Sequence, residues 1–181
     1  GSVKVVAQKQ AQNALDLSPQ SALLPSETHA ALATSLASFG DFDASVDVLT
    51  VAQLRQPAPN EWEVAWVLWH YADNTHFYYF IPKPNGWELG KEDPAYPDNQ
   101  RYLATGTTPR FTIGNHYLVR IVQVGSQITV YVDGTTLTTF NDAERPYSAG
   151  ALGLYCEDSH VQFGAISASA HDLTLTLRQG V

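Results

Sequence analysis

Aromatic side chains are concentrated in one short stretch of the sequence, and they are the first candidates for chemistry. Nine of the 20 aromatic residues lie between Trp62 and Trp87, including all four tryptophans. Rings in such density either fill a core or form a surface that stacks on a flat ligand. Strand alternation favours a core role for Trp62 and Trp66. Trp87 follows a tight turn and suits a ligand platform as well as a packing role.

A row of acidic residues is the second candidate. Asp41, Asp43 and Asp47 project from one face of a predicted strand, where carboxylates in line repel one another unless they are solvated or bound to a metal. Glu157 and Asp158 come just before a late strand that could pair nearby. The pattern leaves two alternatives open, a calcium site or a solvated acidic strand.

Patterns for catalysis are weak in this chain. The six histidines have no zinc-motif spacing, and Cys156 is the only cysteine, so neither a cysteine-based zinc site nor an intramolecular disulfide can form. Glu63 with Glu88 could flank a glycosidic bond, and His76 with Tyr78 could act as base and acid in a lyase. The sequence requires neither pair.

The elements that would position these residues are short strands. Apolar and polar residues alternate over 41–48, Asp73-Asn74 joins predicted strands over 62–71 and 76–81, and Asp133-Gly134 is typical of a type I′ turn. Short strands also fit 101–104 and 110–113, and Leu173, Leu175 and Leu177 alternate in a last one. With about a dozen strands and no amphipathic helix, we predict an all-β, two-sheet antiparallel sandwich.

Composition narrows the classes of partner. The formal net charge is −8, from 10 basic and 18 acidic residues, which argues against a nucleic-acid partner. No apolar run approaches the roughly 18 residues of a membrane span. The low lysine content and the abundance of Thr, Ser and Asn suit a secreted or cell-surface protein.

The domain prediction divides the chain at residue 35. Gly1-Ser2 resembles residues left by cloning, and the absence of Met leads us to expect a domain of a larger multidomain chain. Residues 1–35 are predicted as this remnant, an N-terminal extension and a first strand. Residues 36–181 are predicted as a single jelly-roll domain.

Three stretches resemble the concanavalin A-like lectin/glucanase jelly rolls, nearest the laminin-G-like and 3-keto-disaccharide-hydrolase-like (DUF1080) branch. They are the run over 39–48, the hairpin over 73–80, and the closing half from His116 through Asp133-Gly134 to Phe163. The loop over 86–97 also looks similar to domains of large calcium-dependent bacterial (RTX) proteins. The Glu-x-Asp-x-x-Glu run of the retaining β-glucanases of this fold is absent, as is the residue set of its alginate lyases.

The resemblance implies that a sheet face or its rim loops hold a sugar, with rings stacking on the sugar and polar groups orienting its hydroxyls. It also implies a calcium ion that bridges early and late strands, with Asp41, Asp43, Glu157 and Asp158 as ligands. We expect His70, His76 and Tyr78 to share the more polar face of the hairpin. The full set of predicted ligand-binding residues is Trp69, His70, His76, Tyr78, Trp87, Glu88, Lys91, Arg101, Arg120 and Tyr131.

The sequence therefore predicts a calcium-stabilised, lectin-like carbohydrate-binding domain with no catalytic residue assigned. Lys91 and Arg101 are predicted clamps for a uronic acid or a neutral sugar, although a solvated rim of charges fits them as well. Two alternatives stay open: a polysaccharide-degrading hydrolase or lyase of the same fold, and a structural or peptide-binding module of an adhesin.

Overall fold

The computed structural model describes residues 1–7 and 13–170, which form two antiparallel sheets. The seven-stranded sheet has the order β1-β2-β13-β4-β9-β10-β11. Its strands are β1 (Ser2–Ala7), β2 (Asn13–Ser18), β4 (Phe42–Gln53), β9 (His116–Val124), β10 (Gln127–Val132), β11 (Thr135–Asn141) and β13 (Ser159–Ala170).

The six-stranded sheet has the order β3-β12-β5-β6-β7-β8. Its strands are β3 (Ala30–Phe39), β5 (Trp66–Asp73), β6 (His76–Lys83), β7 (Gly86–Glu92), β8 (Gln100–Gly106) and β12 (Gly150–Glu157). A short 3-10 turn over Pro97–Asn99 precedes β8. The described residues contain no helix long and apolar enough to cross a membrane.

The all-β sandwich predicted from turn spacing and alternation is thus confirmed. Along β4, Phe42 and Val46 are buried between the sheets while Asp43 and Asp47 face outward, as the period of two requires. Asp133-Gly134 makes the β10–β11 turn with φ of 50° and 78°, as a type I′ turn does. The predicted strand over 110–113 is wrong, because this segment is a loop that inserts the Phe111 ring into the core.

The hairpin of β5 and β6 is present, but its alternation is interrupted at His70. His70 has φ 47°, and the β5–β6 register shifts between Trp69 and Asp73. An extra residue of this kind reverses which face the following side chain occupies. Tyr71 consequently joins Leu68 on the outer face, where unbroken alternation would have placed it with Trp69 in the interior.

The strand predicted over 62–71 begins only at Trp66. Residues 60–64 form a turn instead, in which the Glu63 N–H donates to the Asn60 carbonyl and the Val64 N–H to that of Trp62. Trp62, predicted to fill the core, is therefore 45% exposed. A buried carboxylate at Glu63 holds this turn and is described below.

The described residues before 35 belong to both sheets. β2 pairs with β13, Leu17 is completely buried in the main core, and β3 runs across the predicted boundary at residue 35. Residues 13–35 thus contribute strands to both sheets of the sandwich. The predicted strand at Leu173, Leu175 and Leu177 lies outside the described residues.

We predict that Leu17→Ala lowers the free energy of unfolding by about 2–5 kcal/mol, because it removes buried methyl groups and leaves a cavity between the sheets. Leu23→Ala is the matched control, since Leu23 is 68% exposed and its truncation should change stability by less than about 0.5 kcal/mol. Urea unfolding measures both. Equal effects would show that β2 is not part of the cooperative core.

Candidate functional site

The outer face of the six-stranded sheet carries a hydrophobic cluster of its own, separate from the core between the sheets. Its buried members are Val64, Trp66, Leu68, Tyr79 and Ile81. They come from alternate positions of β5 and β6 and from the turn before β5, whereas Val67, Trp69, Tyr78 and Phe80 face the other sheet. No further layer of strands or helices among residues 1–7 and 13–170 covers this apolar face, which makes it a candidate binding surface.

Two adjoining cavities make this face a groove. One has a volume of about 560 Å³ and is lined by Ala30, Leu32, Trp66, Leu68, Tyr71, Asn74, Phe77, Glu92, Tyr155 and Glu157. The other has a volume of about 350 Å³ and is lined by Trp62, Trp66, Ile81, Glu88, Glu92, Gln100, Tyr102 and Glu157. They share Trp66, Glu92 and Glu157, so we treat them as one site, the groove. These volumes are in the range of small-ligand pockets.

Trp66 is the centre of the aromatic floor. Its ring lies 5.3 Å from that of Tyr155, edge to face, and 5.4 Å from that of Tyr79. Its Nε1 donates to the Trp62 carbonyl over 2.7 Å, and this hydrogen bond restrains the orientation of the indole. Trp62 and Tyr102 stand at the rim, with Tyr102 59% exposed. The rings of the floor are therefore fixed by their contacts, and the rings of the rim are exposed to a ligand.

A chain of hydrogen bonds organises one half of the groove. The Tyr79 hydroxyl donates to Glu88 over 2.9 Å and accepts from the Gln100 amide over 2.7 Å. Lys83 neutralises Glu88 from the other side over 2.8 Å. Gly90 is needed here, because any side chain at this position would overlap the Tyr79 ring. Burial and the nearby Glu88 raise the pKa of Tyr79, so its hydroxyl keeps its proton.

Glu92 and Glu157 differ from Glu88 because neither carboxyl forms a side-chain hydrogen bond or ion pair with the described part of the chain. Burial raises the pKa of Glu92 to about 7. Burial also raises the pKa of Glu157 to about 7, helped by the negative charges of Glu63 and Asp158. Both carboxyls line both cavities, so they are free to meet a ligand.

Three predicted ligand-binding aromatics lie inside the sandwich and are corrected here. Trp69 is 1% exposed, stacks on Tyr78 at 5.5 Å and donates from Nε1 to Gln123. Tyr78 is fully buried, and Trp87 packs in the same core while its Nε1 donates to the Thr108 carbonyl. Trp69 lies two residues after the buried Val67 on β5, Tyr78 is its register partner on β6, and Trp87 shares the interior face of β7 with Leu89, so all three rings face the other sheet.

Lys91 and Arg101, the predicted clamps for a ligand, are engaged within the protein instead: Lys91 is an internal cation, and Arg101, whose side chain is 22% exposed, pairs with Asp142 and Glu144. Lys91 is completely buried, 2.8 Å from Asp142, and its ammonium also donates to the carbonyls of Glu144 and Arg145. Arg101 contacts the same Asp142 over 2.9 Å. Both therefore hold the loop after β11 against β7 and β8, and neither lines the groove.

The two histidines predicted to share a polar face with Tyr78 are separated. His70 is buried, with each ring nitrogen 2.9 Å from a backbone carbonyl, those of Tyr147 and Gly40. His76 lies at the β5–β6 turn, 2.9 Å from Asp73. The hydrogen bond from His76 and those from Thr75 hold the pKa of Asp73 down at about 2. Neither histidine lines the groove.

Arg120 and Tyr131, expected on the same face as His70, His76 and Tyr78, are neighbours of each other on the outer face of the seven-stranded sheet. The Arg120 guanidinium stands 5.1 Å from the Tyr131 ring centre and donates to Asp43 over 2.8 Å. The groove is on the opposite side of the sandwich. Of the ten predicted ligand-binding residues, only Glu88 lines the groove.

The predicted calcium ligands do not converge. Asp43 pairs with Arg120 on one outer face, Glu157 lies in the groove on the other, and the Asp41 carboxylate accepts from the Gly125 N–H. Asp158 is buried against Arg55 over 2.7 Å. Within residues 1–7 and 13–170, no group of three or more His, Cys, Asp or Glu side chains is placed to hold a metal. These four residues therefore do not fit a shared calcium ion.

Arg55 explains why Glu63 and Asp158 can be buried. Its guanidinium contacts both carboxylates and also donates to the carbonyls of Leu24 and Glu27. Asp158 accepts in addition from the Ala22 N–H over 3.0 Å. This cluster joins the segment between β2 and β3 to the turn before β5 and to the β12–β13 turn, and so anchors one end of the groove.

The residues missed by sequence reasoning had a signal in the alternation of β7 and β12. On β7, Trp87, Leu89 and Lys91 face the interior, which leaves Glu88 and Glu92 for the groove. On β12, Leu154 and Cys156 face the interior, and the residues between and after them, Tyr155 and Glu157, face the groove. The alternation shows that Glu88 and Glu92 lie on the same face of β7, but assigning that face to the groove requires knowing which face is internal.

Comparison with known proteins gives similarity in structure and not in sequence. No family model matches the chain, and no curated protein sequence matches it. The carbohydrate binding module CBM66 from Bacillus subtilis is similar with a TM-score of 0.66 at 14% identity, over 93% of this chain and 92% of that one. A β-glucanase from Bacillus licheniformis gives a TM-score of 0.58 at 9% identity, over 93% and 82%. Human galectin-16 gives 0.55 at 12% identity, over 82% and 98%.

The chain has the concanavalin A-like jelly-roll fold. The predicted architecture and the resemblance to this fold are thereby confirmed. At these identities the likeness concerns the arrangement of the strands, and the chemistry has to be argued from this chain's own groove.

In this jelly roll, we predict that Arg55→Met destabilises the protein by about 3–5 kcal/mol, because it leaves two buried carboxylates without their cation. Arg120→Met is the matched control and should cost less than about 1 kcal/mol, since its pair with Asp43 is exposed. Urea unfolding at neutral pH gives both values, and similar losses would contradict the assignment of Arg55 as an internal anchor.

We also predict a pH dependence of stability from the two groove carboxyls. Because folding raises their pKa, the folded state binds protons more readily than the unfolded state, and stability increases as the pH falls from 8 towards 5. Glu92→Gln and Glu157→Gln should each stabilise the protein by about 1–2 kcal/mol at pH 8 and have little effect at pH 5.

Urea midpoints at the two pH values measure this difference. The exposed Glu61→Gln is the control and should leave the pH dependence unchanged. If all three variants behave like the wild type, the groove carboxyls are not desolvated.

Proposed function

We propose that this chain is a carbohydrate-binding, lectin-like module and that the groove on the six-stranded sheet holds the glycan. The observation that carries the proposal is the combination, in one open groove, of aromatic rings with polar groups that have unused hydrogen-bonding capacity. Trp66 and Tyr155 provide the rings, and Glu92, Glu157 and Gln100 provide the polar groups. Sugars present C–H patches that stack on rings, with hydroxyls at the ring edge.

The size of the groove favours a chain of sugar units over a single one. The two cavities share Trp66, Glu92 and Glu157, so consecutive units could lie on either side of the Trp66 indole. The rim rings of Trp62 and Tyr102 would border the second unit. The similar folds of a carbohydrate binding module, a β-glucanase and a galectin support this choice of ligand class.

We predict that Trp62→Ala and Tyr102→Ala each weaken glycan binding about tenfold, because each removes an exposed stacking ring from the groove rim. Binding to a glycan array followed by calorimetry on the strongest ligand measures the loss. Both residues are exposed, so the variants should fold normally. Tyr131→Ala is the matched control on the opposite sheet and should bind as the wild type does.

Two results would contradict the proposal. One is the absence of binding to any glycan, and the other is a loss of binding in Tyr131→Ala with none in Trp62→Ala or Tyr102→Ala. Binding of protein partners only would favour the alternative of a structural or peptide-binding module.

A glycoside hydrolase of the same fold is the second candidate, and the pKa values of Glu92 and Glu157 favour it. A carboxyl with a pKa near 7 can donate a proton to a leaving group at neutral pH, and a second carboxyl can assist the attack of water. Release of reducing ends from a polysaccharide panel, lost in Glu92→Gln and Glu157→Gln, would establish this activity in place of binding alone.

Three further predictions from the sequence accompany the proposal. We propose that the module acts outside the cell or at its surface, where polysaccharides are exposed, and that it belongs to a longer chain of the RTX type. Calcium binding stays a prediction that the four suggested ligands do not support in their present positions. A melting temperature that rises with calcium and falls with a chelator would support it.

A further inference from the structure

The groove has a one-sided charge. Among residues 1–7 and 13–170, its lining contains the carboxyls of Glu88, Glu92 and Glu157 and no lysine, arginine or histidine. Of these three carboxyls, Glu88 forms an ion pair with Lys83 at 2.8 Å, and Glu157 feels the positive charge of Arg55 without pairing with it. Two carboxyls are therefore uncompensated by any ion pair among the described residues, in a site partly shielded from water, where charge interactions are stronger than in bulk solvent.

Basic residues are present on the strands of the groove, but alternation turns them away from it. On β7, Lys91 comes between Glu88 and Glu92 in the sequence but faces the interior, where its ammonium group forms an ion pair with Asp142. On β8, Arg101 lies between Gln100 and Tyr102, which line the groove, and points to the same Asp142. In the part of the chain that the structure describes, no basic side chain therefore lines the groove to neutralise an anionic ligand.

The aromatic floor has the same electrostatic preference as the carboxyls. The faces of aromatic rings carry partial negative charge and attract cations. Tyr71, Phe77, Trp66 and Tyr155 line the larger cavity together with Glu92 and Glu157. An ammonium group placed among them would meet ring faces and carboxylates at once, whereas a carboxylate or sulfate would be repelled by both.

We propose that the groove selects glycans that carry ammonium groups, such as polymers of amino sugars with a free amine, over neutral glycans, and that it rejects uronic-acid and sulfated glycans. This inference rests on the proposed function, since it names the ligand class of the same groove. It also replaces the expectation of a uronic-acid clamp at Lys91 and Arg101, both of which are engaged with Asp142.

A glycan suits the groove better than a basic peptide. Gln100 and Tyr102, which share a hydrogen bond, line the smaller cavity, and aromatic rings line the larger one. A glycan can therefore place hydroxyls against the first and an ammonium group among the second. A lysine side chain would supply the ammonium group alone. An oligolysine peptide therefore serves as a competing ligand in the test.

The experiment measures the affinity of the folded chain for three hexasaccharides by calorimetry at pH 8 and low salt. They are a trimethylammonium derivative of β-1,4-linked glucosamine, its neutral N-acetyl counterpart, and an oligogalacturonate. The permanent charge of the first probe keeps its own titration out of the result. We expect it to bind about tenfold or more tightly than the neutral probe, and the galacturonate to bind weakest.

The variants Glu92→Gln and Glu157→Gln should each reduce the preference for the cationic probe about threefold or more, and the double variant should abolish it. Binding of the neutral probe should fall less than binding of the cationic probe, because glutamine keeps a hydrogen-bonding group for sugar hydroxyls and removes only the charge, so the ratio of the two affinities is the readout. Lowering the pH to 6 in the wild type should weaken the preference, because the two carboxyls become protonated. Glu61→Gln is the control and should retain the full preference.

The outcomes separate the two proposals. If the neutral probe binds as tightly as the cationic one, or the galacturonate binds tightest, or the glutamine variants keep the preference, this inference is overturned while carbohydrate binding stands. If hexalysine binds as tightly as the cationic hexasaccharide, the ligand class is a basic peptide and this inference fails. If no hexasaccharide and no array glycan binds, the proposed function fails with it.

Discussion

The alternation of side chains across the six-stranded sheet is the constraint on which the structure and its site depend. β5, β6, β7 and β12 each present one face to the seven-stranded sheet and one face to the groove, so the position of a residue along the strand decides which side its side chain reaches. β7 shows this most clearly. Trp87, Leu89 and Lys91 complete the interior, and Glu88 and Glu92 are thereby delivered to the groove.

The bulge at His70 is one of the places where the alternation of this sheet is interrupted, and it changes the surface of the groove. Because His70 adopts φ 47°, Tyr71 turns outward to pack 5.7 Å from Phe77, and the aromatic floor is extended. The His70 ring stays buried between the carbonyls of Gly40 and Tyr147. A distortion held by internal hydrogen bonds thus shapes the outer surface.

Two internal ion clusters hold the ends of the sandwich. Arg55 unites two buried carboxylates with the segment between β2 and β3, and Lys91 binds Asp142 in the loop after β11. Both place the positive charge of the cluster inside the protein. Because Arg55 and Lys91 form internal ion pairs, the charged side chains that line the groove in the described part of the chain are the glutamates.

The sequence by itself determined the class of fold, the hairpins and the absence of a cysteine-based metal site, because turn residues and alternation are local properties of the chain. Only the tertiary structure decided which face of β5 is internal, since both faces are apolar and the choice depends on the opposing sheet. For this reason Trp69, expected to bind a ligand, lies in the core, and Trp66, expected in the core, lines the groove. Lys91 likewise became an internal cation because its partner Asp142 lies 51 residues away, a distance that no local pattern reports.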